Sequence, residues 1–336
     1  MDMNEDYFAE DNFVKETIDI EAEKQQHADI KRDTMHICFN IDKNYFDQLG
    51  VMATSVLETN RDLDLEFHVF INEIADADLL KARQLVKQYG QGFHIYVMNM
   101  EPFSKFHLLH QRHSYVSYFR IYMPKILKKF TKHFLYVDAD MICLGSLKPF
   151  LEMDFKNTPV AVVSDVPEAV KIRTAFLKLK NGKYFNSGMM YINVEEWEKQ
   201  LITEKCFEHT GKDPKMFLGH DQDVLNIVLD GNFILVSEKF NFLGGMGAKG
   251  PEGTIFYHFF GRTKPWEICL NEFDEIWWHY NDISLWRKER MKYPPLKPKY
   301  YHDYKYAGKY YSQKNEYFKA LKCYLIYSYL KIRFKL

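Results

Sequence analysis

Thr34-Met35-His36-Ile37-Cys38-Phe39-Asn40 reads as the first strong strand of the chain, and the turn-forming cluster Asp42-Lys43-Asn44-Tyr45 ends it. Phe46–Glu58 follows with Leu49, Met52, Ala53, Val56 and Leu57 at helical spacing. Leu65–Ile71 is a second strand, Leu79–Tyr89 a second helix and Phe93–Met98 a third strand. Alternation of this kind predicts an α/β fold, a mostly parallel sheet covered by helices. Right-handed crossovers put the strand ends on one edge. In open α/β sheets ligands bind outside those carboxyl ends. Asp42 and Asn44, just past the first strand, are therefore early site candidates.

Working outward, residues 1–33 are polar and acid-rich, a lead segment with a helix expected at Asp19–Lys31. Downstream, Ser114–Leu127 reads as a helix carrying Arg120. Phe134-Leu135-Tyr136-Val137 is a short buried strand that runs into Asp138-Ala139-Asp140. Val160–Ser164 is a strand ending at Asp165. Met189–Asn193 is a strand after a turn at Asn186-Ser187-Gly188, Asp221–Leu229 a helix, and Thr254–Phe259 a strand containing His258. Pro294, Pro295 and Pro298 mark a boundary. Beyond it, residues 294–336 hold ten Lys or Arg against Asp303 and Glu316, about +8 in a chain of net charge −1, with twelve Tyr or Phe. Glu316–Leu336 is expected to be a basic, aromatic amphipathic helix.

The whole-chain charge points to neither nucleic acid nor membrane, so any such affinity must be local. No nucleic-acid reading motif is present, and no phosphate loop, dinucleotide fingerprint or nucleophile elbow appears. Five scattered cysteines suggest free thiols in a reducing compartment. The N-terminus has neither the basic nor the apolar region of a secretory signal. A cytoplasmic location is expected.

Carboxylates at the tip of an apolar strand are costly unless they meet a cation or an opposite charge. Asp138 and Asp140 there suit a hard divalent ion, which takes oxygen ligands and keeps substrate phosphates in its shell. Taken alone, an Asp-x-Asp pair reads equally as a solvated turn. A neutral imidazole at His258 can complete the shell. Gly261 permits close approach to a phosphate, and Lys264 can neutralise one. Asp221 could be a helix N-cap, Gln222 could bond a sugar hydroxyl, Asn186 could reach a sugar, and Arg120 could be a surface ion pair or a donor contact.

Together and in order, Asn40-Ile41-Asp42-Lys43-Asn44-Tyr45, Ser117-Tyr118-Phe119-Arg120, Leu135-Tyr136-Val137-Asp138-Ala139-Asp140, Tyr184-Phe185-Asn186-Ser187-Gly188, Asp221-Gln222-Asp223-Val224-Leu225-Asn226 and His258-Phe259-Phe260-Gly261-Arg262-Thr263-Lys264-Pro265-Trp266 resemble the family 8 retaining glycosyltransferases. Within that family the chain is most similar to bacterial lipopolysaccharide core glucosyl- and galactosyltransferases. The resemblance spans about residues 35–270. It implies a GT-A, Rossmann-like nucleotide-sugar-binding fold over residues 34–290. The basic helical tail, residues 291–336, is then expected to associate with the inner leaflet of the membrane. It implies a UDP-glucose or UDP-galactose donor and a Mg²⁺ or Mn²⁺ ion held by Asp138, Asp140 and His258. Asn40, Asp42, Asn44, Tyr45 and Ala139 would line the nucleotide pocket, and Gly261 and Lys264 would meet the pyrophosphate. Arg120, Asp165, Asn186, Asp221 and Gln222 would surround the donor sugar, with a lipopolysaccharide core oligosaccharide as acceptor. Asn40 stands where the family commonly has Ala. Two other readings share the same residues: a glycogenin-like self-glucosylating transferase, and a nucleotide-sugar-binding protein without catalysis.

Overall fold

A computed structural model describes residues 5–22, 34–106, 108, 114–244, 249–261, 263–290 and 301–335. The expected Pro294–Pro298 boundary and Arg262 lie outside these residues. Eight strands form the main sheet: β1 (Val14–Ile20), β2 (Thr34–Ile41), β3 (Asp64–Ile71), β4 (Gly92–Met98), β5 (His133–Val137), β7 (Val160–Ser164), β8 (Phe185–Asn193) and β9 (Ile234–Leu235). Their spatial order is β1-β4-β3-β2-β5-β8-β7-β9. β2 is parallel to β3 and β5, and β3 to β4, while β8 is antiparallel to both β5 and β7. Only β1 and β8 oppose the common direction, as expected for a mostly parallel sheet.

The principal helices are α1 (Phe46–Thr59), α2 (Asp76–Tyr89), α3 (Phe119–Leu127), α4 (Pro167–Leu177), α5 (Asp221–Leu229), α6 (Glu272–Ile283), α7 (Tyr301–Gln313) and α8 (Tyr317–Lys335). The sheet is apolar on both faces, as parallel strands covered by helices must be. Ile37, Phe39, Val69, Leu135 and Val137 pack with Leu49, Met52 and Val56 of α1 on one face. Cys38, Phe70, Phe134 and Tyr136 pack with Phe119, Tyr122 and Met123 of α3 on the other. A small second sheet joins β10 (Phe242–Leu243), β11 (Phe256–His258) and β6 (Met141–Cys143).

Two sequence readings are corrected. Of the helix expected at Asp19–Lys31, only residues 19–22 are described, and Asp19–Ile20 end the edge strand β1, antiparallel to β4. β1 satisfies the free edge of β4, a stronger demand than the weak helical periodicity. Asn186-Ser187-Gly188 is no turn: it lies inside β8. Register shifts between Val162 and Val163, whose partners are Met190 and Asn186, so the motif bulges from the sheet. A Cβ on Gly188 would lie 2.6 Å from His258 Cε1. Glycine is there for close approach, not for a turn.

The tail is a helical pair. Tyr304, Ala307 and Tyr310 of α7 are buried; Tyr310 joins Trp277 and Trp278 of α6, and Tyr304 and Ala307 join Ile268 and Cys323.

Candidate active site

The strand-tip motif lies where the two sheets meet. Asp138 N–H donates to the Gly188 carbonyl at 2.8 Å, and Phe259 N–H to the Asp140 carbonyl at 3.0 Å. Met141 pairs with His258 in the small sheet. Backbone register alone thus places residues 140 and 258, far apart in sequence, side by side. One ligand atom from each of Asp138, Asp140 and His258 lies within 4.8 Å of the others.

The donor set fits a hard divalent cation. Asn241 is fully buried. Its Nδ2 donates to Asn186 Oδ1 at 2.9 Å. Its Oδ1 must therefore accept, and His258 Nδ1 is 3.1 Å from it. Network logic assigns the imidazole proton to Nδ1 and leaves the Nε2 lone pair facing Asp140 Oδ1 at 3.2 Å. Burial works against the charge of both aspartates. Lys264 is the strongest group opposing it at Asp140, whose pKa is held far below the usual carboxylate range. At Asp138 burial wins with help from Asp140, against Arg120, and the pKa is raised. Two carboxylates so opposed are relieved by a shared cation.

Arg120 is no surface cation. It is buried, 3.1 Å from Asp138 Oδ1 and 3.2 Å from Asp221 Oδ2. It donates to the Ser187 carbonyl at 2.6 Å and lies over the Tyr136 ring. Asp221 is the first residue of α5 rather than its N-cap, which is His220. Its carboxylate is spent on Arg120 and the Ser187 hydroxyl, 3.3 Å away, and burial raises its pKa although Arg120 opposes.

Gln222 is pinned at both ends. Its Nε2 donates to Asp165 Oδ2 at 2.8 Å and to the Tyr184 hydroxyl at 2.9 Å. Its Oε1 accepts from Ser187 N–H at 2.9 Å and from Asn186 Nδ2 at 3.3 Å. Behind it, fully buried Asp223 accepts from Tyr184 at 2.6 Å and from Gly219 N–H at 2.7 Å, and pairs with Arg173 of α4. Hydrogen bonds thus run unbroken from His258 through Asn241 and Asn186 to Gln222.

On the far side, Asp42 Oδ1 accepts from Asn44 N–H at 2.8 Å and shapes the loop after β2. Asn40 Nδ2 donates to the Val116 carbonyl at 2.6 Å, and Tyr136 O–H bonds both Asn40 and Asp138. Tyr45 meets Trp266 edge-on at 6.4 Å. Its pKa is raised by burial, with Lys264 opposing and Asp140 adding, so the loop borders the carboxylate site. Ala139 is buried between the aspartates. Lys264 Nζ bonds Asp140 Oδ2 and the Phe259 carbonyl, each at 2.7 Å. Gly261 has φ +92, which suits glycine, with open space where a Cβ would stand.

The structure gathers His258, Lys264 and the strand-tip pair at one end, and Arg120, Asp165, Asn186, Asp221 and Gln222 beside them. Sequence reading missed Asn241, Tyr184, Tyr136 and the part played by Asp223. Asn241 precedes a two-residue strand that has no legible periodicity.

The fold is that of the GT-A glycosyltransferases. The Glycosyl transferase family 8 model matches residues 36–268, and the chain belongs to that family. It is 30% identical over 316 residues to a lipopolysaccharide 1,2-glucosyltransferase of Escherichia coli, covering 88% of this chain and 91% of the relative. It is 28% identical over 347 residues to a lipopolysaccharide 1,3-galactosyltransferase of Salmonella typhimurium, covering 97% and 98%. The crystal structure of the galactosyltransferase LgtC with donor and acceptor sugar analogues superposes with a TM-score of 0.63 at 23% identity, over 75% of this chain and 96% of that one.

Proposed function

We propose that this chain is a metal-dependent retaining hexosyltransferase. It moves glucose or galactose from UDP-glucose or UDP-galactose to a lipopolysaccharide core oligosaccharide and forms an α-linkage. The observation that carries the reading is the Asp138–Asp140–His258 cluster, with His258 tautomer-locked by Asn241 and joined through Asn186 to Gln222. The names of the E. coli and Salmonella relatives support the acceptor class.

Asn40, Asp42, Asn44, Tyr45 and Ala139 form the nucleotide side. Asp138, Asp140 and His258 would hold Mg²⁺ or Mn²⁺, which would set positive charge against the leaving diphosphate. Lys264 adds its ammonium to the same oxygens, and Gly261 lets backbone approach them. Arg120, Asp165, Asn186, Asp221 and Gln222 line the sugar side. A covalent route needs a nucleophile on the far face of the sugar. Both polar atoms of the Gln222 amide are already engaged, and the Asp221 carboxylate is paired with Arg120. Attack from the leaving-group face is therefore favoured, with a UDP phosphate oxygen taking the acceptor proton.

Residues 34–290 act as the catalytic unit. Residues 291–336 would hold it at the inner face of the cytoplasmic membrane. Among the described residues no helix is long and apolar enough to cross a membrane. α8 instead exposes Leu321, Leu325, Tyr329 and Ile332, beside lysines that contribute roughly 1 kcal/mol each near an anionic surface.

UDP release from each donor, with and without lipopolysaccharide core and divalent metal, tests the reading. Turnover should require both, and Asp138→Asn should abolish it. Full activity of Asp138→Asn in Mg²⁺ buffer would contradict the metal assignment. A glycosyl adduct on Asp221 by mass spectrometry would contradict attack from the leaving-group face.

A further inference from the structure

α8 is apolar on two opposite sides. Ala320, Cys323 and Leu330 are buried, and Cys323 and Leu330 cluster with Tyr304 and Ala307 of α7. Phe318, Leu321, Leu325, Tyr329 and Ile332 are exposed, and helical spacing puts these five on one stripe. Between the first turns of α8 and the catalytic body lies a cavity of about 550 Å³, within the roughly 300–1,000 Å³ of small-molecule sites.

Trp266, Ile268, Cys269, Trp278, Tyr311 and Cys323 supply its apolar walls. Its charged groups balance: Arg290, Lys319 and Lys322 against Glu267, Glu275 and Glu316. Arg290 bonds Glu275 at 2.5 Å, and Lys319 pairs with Glu316. An anionic headgroup finds no surplus charge there, whereas aromatic and sulfur-bearing walls favour hydrocarbon. Phe318 lines the cavity and is 93% exposed. It stands at the rim and begins the exposed stripe, so cavity and stripe are continuous.

We propose that this cavity takes one acyl chain of a lipid from the membrane on which α8 lies. The source of the chain rests on the membrane reading of the tail; the cavity's preference for hydrocarbon does not. Pro265 and Trp266 line the cavity, and they directly follow Lys264 in the chain. Trp266 also meets Tyr45. A seated chain therefore packs against the back of the loop that carries Lys264 and braces it.

The test titrates the full chain with dodecyl maltoside below its micelle-forming concentration, read by tryptophan emission and native mass. One saturable equivalent is expected. Ala307→Leu should fill the cavity and weaken binding at least tenfold while vesicle co-sedimentation persists; Cys323→Phe is the second filler if the first does not fold. Vesicles of phosphatidylglycerol with brominated chains should quench tryptophan emission in the wild type and less in the fillers. The pair Leu325→Glu and Ile332→Glu should abolish vesicle binding yet keep the detergent site, so the two readings fail separately. No saturable detergent binding, equal binding by both fillers, or displacement by millimolar glycerol phosphate would overturn the proposal.

Discussion

Asn241 touches two side chains, and each contact fixes an orientation. It accepts from His258 Nδ1 and donates to Asn186 Oδ1. Removing an outer partner of a metal-ligating histidine, the role proposed for His258, typically costs 10–100-fold in metal affinity or activity. Asn241→Leu should lose about that much Mn²⁺ affinity, measured by paramagnetic resonance titration. Asn241→Asp keeps the acceptor toward His258 but cannot donate to Asn186. It should keep most of the metal affinity while kcat falls, and an equal loss of both would contradict separate roles. The residues that sequence made legible, Asp138, Asp140, His258 and Lys264, have chemistry visible from type and neighbours. Asn241 has neither cue: it matters because its fully buried amide joins two motifs.

At the scale of elements, two strands carry more than register. Gly188 lets β8 pass under His258, and an added Cβ would also stand 2.8 Å from Asn186 Oδ1. Gly188→Ala should cost roughly 1–3 kcal/mol by overpacking and weaken Mn²⁺ binding, seen together in thermal melts with and without the ion. Across β2, β3 and β4, His36 Nδ1 lies 2.9 Å from His68 Nε2, and His68 Nδ1 lies 3.1 Å from the Tyr96 hydroxyl. Burial lowers the pKa of both histidines, most for His68, with His94 adding to each and Glu66 opposing at His36. Burial also disfavours charge on His94, but hydrogen bonds to Glu66 and Asp19 prevail and raise it. For the lowered pair, the unfolded chain binds more protons once pH falls below about 6.5, so stability drops there. His94 acts in the opposite sense: its contribution is present at low pH and fades as pH rises. His68→Gln should reduce the loss of Tm between pH 7.5 and 5.5 by the equivalent of about 1 kcal/mol or more. An unchanged pH dependence would show that folding leaves the proton affinity of His68 as it is in the unfolded chain. The strands themselves were readable from alternating and continuous apolar runs. β1 and the β8 bulge were not, because each depends on what the neighbouring strand leaves unpaired.

At the scale of the molecule, α7 and α8 play unequal parts. α7 buries Tyr304, Ala307 and Tyr310, so deleting the tail would uncover Trp277 and Trp278 and confuse binding with stability. Vesicle binding is better tested in the intact chain. Raising salt from 50 to 500 mM should release the wild type from phosphatidylglycerol vesicles, as screening shortens from more than 10 Å to under 8 Å. Binding that ignores salt would assign attachment to the apolar stripe alone.

The sequence by itself determined the order of strands and helices, the acidic strand tip and the basic tail, because periodicity, residue type and local charge are written in neighbouring positions. It also carried the family, through motifs whose order survives without coordinates. Only the tertiary structure decided that Asn186-Ser187-Gly188 bulges within a strand, that Arg120 is buried between two aspartates, and that Asn241 links His258 through Asn186 to Gln222. Those outcomes depend on which distant backbone groups meet across β5, β8 and β11 and on which polar atoms burial obliges to find partners. No window of sequence contains both members of such a pair.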